Sequence, residues 1–242
     1  RSSTVRLTWR ARKGFVSPGR LVMPRRGSSA PERCSALVAT GGWTRDGKAV
    51  IAHNNWSTYL EGSRWNIIFD LVPERGFRIL MDGMPGSIAS NDDFGINADG
   101  LMITETTITG FFGFDPAGTP EFYRARKALQ YSRSIDDYVR IMLDRNNGGY
   151  ANDWLVGDLK TNEIARLELG LKNHRVWRTT DGYFIGSNFP LDEKLIAEET
   201  TFDPKDKTQG TLVRKARWET LMEENKGRIT AELGKAFEAD HV

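Results

Sequence analysis

Apolar residues in the first half of the chain recur with a period of two, broken at short intervals by turn residues. Ser35–Thr40 alternates and reads as a strand, and Ala49–Ala52 reads as its return. Between them Arg45-Asp46-Gly47-Lys48 places Asp-Gly at the centre of a hairpin turn. Trp65–Val72, stopped by Pro73, and Phe77–Asp82 form a second hairpin across Glu74-Arg75-Gly76. Gly83, Pro85 and Gly86 break the chain, Ile88–Phe94 is expected to pair again, and a tight turn leads into a strand over Leu101–Ile108. The period then lengthens. Thr119 as cap with Pro120 in the first helical position predicts a helix to Tyr131. Ser134 and Asp137 resemble a capping box, leading a helix with Tyr138, Ile141 and Met142 on one face, which Asn146-Asn147-Gly148-Gly149 stops. Strands return at 153–158, 163–169, 174–179 and 183–187. A polar loop with Pro190 and Pro204 follows, then helices near 212–224 and 230–239. Strands, helices, strands and helices again describe an α+β protein of stacked antiparallel sheets covered by helices.

The 242 residues suit one domain with an appendage, large enough to bury roughly 70% of its unfolded surface. The net charge of +2 hides an asymmetry: residues 1–33 carry a net +8 and the remainder −6. That Arg-, Ser- and Gly-rich leader shows no lasting period and is expected to be disordered. Its composition resembles a transit peptide, and clustered Arg also attracts nucleic acid. A dispensable leader is the plainer reading, and nucleic acid is not an expected partner. No apolar run approaches the roughly 18 residues of a membrane span. The chain begins with Arg and stops at Val242 without a closing element, as a fragment or processed piece would.

Several chemistries lack their signatures. There is no Gly-x-Ser-x-Gly elbow, phosphate loop or dinucleotide fingerprint. Three scattered histidines and one cysteine do not spell a zinc site, so neither metal nor cofactor is expected. Asp92-Asp93 is a carboxylate pair, but neighbours in a strand point to opposite faces, which favours a turn or structural role. The sequon Asn55-Trp56-Ser57 overlaps the candidate site and is discounted. The lone cysteine, Cys34, sits where the basic segment ends and the first strand begins, and the hairpin returns His53 beside it. A lone cysteine is most often a small buried hydrophobe. Were the Arg33–Cys34 bond cut, however, the new α-amine, of pKa about 7.7–8.0, could take the proton of its own thiol.

Cys34-Ser35-Ala36-Leu37-Val38, His53-Asn54-Asn55-Trp56, Gly100-Leu101 with Thr104-Glu105-Thr106-Thr107, and Gly186-Ser187-Asn188 together resemble the phospholipase B-like proteins. They are also similar to the acyl-coenzyme A:6-aminopenicillanate acyltransferase-type cysteine peptidases; both groups are N-terminal nucleophile hydrolases. The likeness runs from residue 34 to about 240. It implies a four-layer αββα sandwich, autocatalytic cleavage between Arg33 and Cys34, and attack on a small-molecule acyl amide or ester through a thioester. Cys34 becomes the nucleophile, His53 and Trp56 line the thiol with Asn54 in the same motif, and Asn188 is the oxyanion donor. Thr106 or Thr107 is a second donor, or simply a strand former. Arg214 or Arg217 is the family's later arginine, although a solvated helix face is the preferred reading of both. Family chains continue well past residue 242, so part of the sandwich is expected to be missing. Acyl transfer to an amine and a silent, uncleaved binding protein remain alternatives. Oligomeric state and compartment are not legible.

Overall fold

The computed structural model describes residues 33–64, 67–90 and 92–241; the leader expected to be disordered, and Trp65 and Asn66 of the second hairpin, lie outside them. Strand β1 (Arg33–Thr40) leads through a 3-10 turn at Gly41–Trp43 to β2 (Val50–Trp56), followed by one helical turn, α1 (Tyr59–Gly62). Strands β3 (Ile67–Leu71), β4 (Ile79–Gly83), β5 (Gly95–Asn97) and β6 (Leu101–Thr107) come next, then α2 (Glu121–Tyr131) and α3 (Ile135–Leu143). Strands β7 (Asn152–Asp158), β8 (Glu163–Leu169), β9 (His174–Thr179) and β10 (Gly182–Gly186) precede α4 (Glu193–Glu199), α5 (Gly210–Glu224) and α6 (Ala231–Glu238).

The strands form two antiparallel sheets. One has three strands in the order β10-β1-β2, and the other has seven running from β3 to β9. Alternation along β1 explains how they stack. Leu37 and Ala39 turn outward to meet Trp218, Leu221 and Met222 of α5 and Phe237 of α6. Ala36 and Val38 turn inward against Leu155 of β7 and Ile164 of β8. The far face of the large sheet, with Leu101, Ile103, Trp154 and Leu167, packs on Ala128, Leu129, Tyr138 and Met142 of α2 and α3. The order is therefore helix, sheet, sheet, helix. Each fully buried Leu or Ile in these layers contributes about 1.5–3 kcal/mol.

Local chemistry sets most boundaries. Ser134 accepts from Asp137 N as a cap, while Asp137 Oδ2 accepts from Arg133 N rather than closing the box on Ser134. Asn97 Oδ1 accepts from Asp99 N and Leu101 N, and Gly100 at φ 93° completes the turn between β5 and β6. Three expectations are corrected. Thr119 is not the cap of α2; that position falls to Pro120, which offers no capping side chain. Among the described residues of 88–94 no strand forms; Ser90 Oγ instead accepts from Asp92 N and Phe94 N. The polar loop after Asn188 contains α4, capped by Asp192 through Leu195 N.

The two sheets approach closely where Gly186 of β10 faces Thr106 of β6. A Cβ on Gly186 would sit 2.6 Å from Thr106 Oγ1 and 2.7 Å from its Cγ2. Thr106 is β-branched and stiff, so the sheets would have to part. Gly186→Ala is expected to cost about 1–3 kcal/mol in denaturant unfolding, and adding Thr106→Ala is expected to restore part of that loss. An unchanged midpoint for the single variant would contradict this close approach.

Candidate active site

The pairing of β1 with β2 places Cys34 opposite Asn55 and Ala36 opposite His53. Paired residues share a face, so the Cys34 and His53 side chains point with Ala36 into the gap between the sheets. Cys34 is 3% exposed. Its sulfur, a ring nitrogen of His53 and a carboxylate oxygen of Glu105 lie within 4.8 Å of one another. This is the one such grouping among the described residues, and Cys, His and Glu are donors zinc accepts. It unites a cysteine and a histidine that looked too scattered in the sequence. Desolvation drives the His53 pKa down to about 4, outweighing the opposing pull of Asp82 and a hydrogen bond with the Glu105 backbone. The imidazole is therefore neutral at pH 7, and its enclosed Nε2 has no hydrogen-bond partner.

Asn188, just past β10, stands at φ 68°, a left-handed conformation that asparagine adopts more readily than other residues with a side chain. Its Oδ1 accepts from Cys34 N at 3.0 Å and from an Arg214 NH2 group at 2.8 Å. Its Nδ2 donates to Thr107 O at 2.8 Å, so one amide hydrogen is already engaged. Arg214, projecting from α5, also donates to Cys34 O at 2.6 Å and Ser187 O at 3.0 Å. The solvated-face reading of Arg214 is thus corrected. A helix wheel shows only the polarity of the helix, and the carbonyls that receive this guanidinium belong to Cys34 of β1 and to Ser187 just past β10, 180 and 27 positions away. Arg217 instead pairs with Asp240 at 2.7 Å. Beneath Asn188, Arg166 reaches Ile185 O and Phe189 O at 3.2 and 3.1 Å and makes ion pairs with Asp153 and Glu168, both at 2.8 Å.

The other candidate residues are dispersed. Thr106 Oγ1 accepts from Asn188 N at 3.4 Å. The Thr107 hydroxyl pairs with Tyr150 at 2.5 Å. Asn54 pairs with Ser35 on the opposite face of the hairpin from the thiol and donates to Glu238 O at 2.7 Å. Trp56 is 52% exposed, not core, and lines an apolar cleft with Val213, Trp218, Leu221 and Phe237. The Asn55 amide donates to Asp92 Oδ1 at 3.0 Å.

A group of carboxylates was not anticipated. Asp92 and Asp93 lie in a loop, so the argument that strand neighbours diverge does not apply to them. Burial first, then the hydrogen bond and charge of Asp82, push Asp92 up to about 8. Burial and the charges of Glu121, Glu105, Asp82 and Asp92 raise Asp93 well above the ordinary range, and burial lifts Glu121 to about 7. The Asp-Asp pair was a visible signal, and Glu105 lay within the family-like Thr104–Thr107 stretch without a role; Asp82 and Glu121 come from separate elements and gave none.

With this geometry in place, comparison with known proteins is informative. The Phospholipase B family profile matches residues 8–197. The chain belongs to the phospholipase B family. Among relatives in that family, phospholipase B-like 2 of Bos taurus is 31% identical over 144 residues, taking in 52% of this chain and 24% of the relative. Phospholipase B-like 1 of Caenorhabditis elegans is 29% identical over 143 residues, 57% of this chain and 25% of the relative. The chain thus spans about a quarter of the length of the curated phospholipase B-like relatives it matches. Among solved structures, a variant of conjugated bile acid hydrolase from Clostridium perfringens superposes with a TM-score of 0.49 at 12% identity, over 85% of this chain and 78% of that one.

Two predictions follow from this arrangement. Arg214→Lys cannot reproduce a fork that donates to Asn188 Oδ1, Cys34 O, Ser187 O and, at 3.4 Å, Ser35 Oγ, so it is expected to lose about 1.5–3 kcal/mol of unfolding free energy. Arg217→Lys, whose pair is partly exposed, is expected to lose about 0.2–1 kcal/mol; equal losses would refute the distinction. For His53 the folded pKa of about 4 lies below its ordinary 6.5, so the folded chain binds fewer protons than the unfolded chain between those values. Its contribution is full above pH 6.5 and falls as pH drops toward 4, by about 3 kcal/mol in all. Measured as unfolding free energy from pH 7 to 4.5, the wild type is expected to lose more than His53→Gln; parallel curves would show that the imidazole is not held neutral.

Proposed function

We propose that the chain is an N-terminal-nucleophile cysteine hydrolase that cleaves acyl ester or amide bonds. The supporting observation is the setting of the Cys34 backbone nitrogen. It donates to Asn188 Oδ1 beside the Arg214 guanidinium, while the thiol of the same residue faces His53. Membership of the phospholipase B family supports the same class and favours the ester. In this reading the Cys34 sulfur attacks the Arg33 carbonyl carbon, the peptide bond breaks with its nitrogen taking up a proton, and water hydrolyses the resulting thioester. Cys34 then carries an α-amine.

That amine is the general base. A positive Arg214 close by disfavours the ammonium form and pulls its pKa below the usual 7.7–8.0. Neutral His53 does not supply the imidazolium that stabilises a thiolate in a Cys–His pair; its role is to line the thiol. The amine takes the thiol proton, sulfur bonds to the acyl carbon, and the leaving alcohol or amine departs with that proton. Water then attacks the acyl-enzyme and restores the thiol. Asn188 holds the amine through its oxygen and has one amide hydrogen left for the developing oxyanion.

Mass analysis of the mature chain is expected to find Cys34 at the new amino terminus and no cut in Cys34→Ala. Turnover of acyl esters is expected to fall at least about a thousandfold in Cys34→Ala and to be lost on alkylation of the processed protein, with EDTA without effect. Full activity with residue 33 still attached, or in Cys34→Ala, would refute the assignment.

A further inference from the structure

The three groups gathered at the thiol come from three different strands: Cys34 from β1, His53 from β2 and Glu105 from β6. Sheet pairing, not local sequence, brings them together, so the fold itself sets their spacing. Cys34 and Glu105 are 3% and 2% exposed, and His53 Nε2 is enclosed without a hydrogen-bond partner. The bond between the imidazole and the Glu105 backbone therefore belongs to Nδ1. An Nδ1–H held by a backbone carbonyl fixes the tautomer and points the lone pair out through Nε2, which is how metal-binding histidines are oriented. An enclosed acceptor without a donor costs about 1–3 kcal/mol, and a cation that takes the lone pair removes that cost. The carboxylate is oriented as well. With the Asn152 amide turned so that both its atoms face suitable partners, its nitrogen donates to Glu105 Oε2 at 3.0 Å.

The donor set is selective. Zinc takes thiolate, imidazole and carboxylate together, whereas calcium and magnesium require oxygen ligands. Zinc bonds of about 2.0–2.3 Å place neighbouring donors of a tetrahedron about 3.3–3.7 Å apart. The three donor atoms already lie within 4.8 Å of one another, a difference that rotation of the Glu105 side chain closes. Charge also balances: a thiolate and a carboxylate cancel the two charges of the ion, so the buried site is left neutral, and the imidazole binds in its uncharged form. Three protein ligands leave the fourth position to water.

We propose that Cys34 Sγ, His53 Nε2 and the Glu105 carboxylate form a zinc site, and that zinc holds the protein inactive. The inactivation rests on the hydrolase reading above; the binding does not. On binding, the thiol gives its proton to solvent and a sulfur–zinc bond forms, with no change of oxidation state. The sulfur that would attack a carbonyl carbon is then engaged by the ion. The donors converge with Arg33 still paired in β1, so zinc stops the cut as well as turnover. The metal-free chain is the active one.

The test starts from the full chain stripped of metal with EDTA. Zinc is titrated against a competing chelating dye, and cobalt serves as the spectroscopic probe. One zinc per chain is expected, with a thiolate-to-cobalt charge-transfer band and the visible bands of tetrahedral cobalt. His53→Gln and Glu105→Gln are each expected to weaken zinc at least about tenfold. Cys34→Ala is expected to weaken it further and to lose the charge-transfer band. On the unaltered chain, zinc is expected to slow alkylation of Cys34 at least tenfold while calcium and magnesium do not, which keeps the proposal testable if a buried variant misfolds. Zinc bound equally by the wild type, His53→Gln and Glu105→Gln marks a thiol adduct only and overturns the site, as do an octahedral cobalt spectrum and alkylation unslowed by zinc. Intact mass and ester turnover, with and without stoichiometric zinc, separate the two claims. A chain that binds zinc with this pattern, yet neither cuts nor turns over when stripped, loses the hydrolase reading and keeps the site. One that cuts and turns over equally with and without zinc loses the inhibitory site and keeps the hydrolase reading.

Discussion

The carboxamide oxygen of Asn188 is the point on which the site depends. It accepts from the Cys34 backbone nitrogen and from Arg214 together, so one atom ties the first residues of β1 to the end of β10 and the first turns of α5. The bond from the guanidinium is charge-assisted and stronger than a neutral one. It holds a residue at positive φ, a region asparagine tolerates better than most side chains, and surrounding constraint fixes it there. That constraint comes from below. Arg166 grips the carbonyls of Ile185 and Phe189 on either side of Asn188, while Glu168 accepts from Leu191 N and Asp192 N just beyond. A buried triad of Asp153, Arg166 and Glu168 adds little net stability against desolvation. Its contribution is positional: it fixes the loop that carries the carboxamide.

Charge is divided across the hairpin. Arg214 lies on the Cys34 nitrogen side, and the carboxylates lie on the His53 side. Each half has its own pH dependence. Neutral His53 favours the folded state at neutral pH and withdraws that support on acidification. Asp92 and Glu238, raised above their ordinary values, bind more protons folded than unfolded, so their effect runs the other way: they favour the folded chain at low pH and oppose it as pH rises toward 8 and 9. Burial causes both shifts, because a low-dielectric surrounding disfavours whichever form is charged.

The legible parts of this chain were those decided by neighbours in sequence. Asp46-Gly47 marked the connection of the first hairpin, β8 and β9 fall on the expected residues, and Ser134 caps α3. The alternation of strands and helices implied stacked sheets covered by helices, and the family resemblance supplied the four-layer order. Helix α4 was missed because Pro190 and Pro204 bracket it, and breakers at both ends look the same whether the interval is a loop or a seven-residue helix. Arg214 was undervalued because α5 has a mixed face, and nothing along the helix reveals that Cys34 O and Ser187 O converge on that one position. The carboxylates failed for a related reason. Each of Asp82, Asp92, Glu105 and Glu121 is unremarkable alone, and burial by distant elements is what perturbs them.

The thiol is closed off at 3% exposure, which bears directly on the proposed reaction. Strand β1 begins at Arg33, and Arg33 pairs with Trp56 across the hairpin, so the residue immediately before the cysteine is held in the sheet. While that bond is intact the Cys34 nitrogen is an amide, which has no basicity, and neutral His53 has little; the thiol therefore lacks a strong base. Cutting the bond changes both conditions at once. It turns the amide into an amine already seated on Asn188 and frees the residue that continues the strand past the sulfur. Under the proposed reaction the amine base therefore serves only the turnover that follows the cut, and the cut itself proceeds without it.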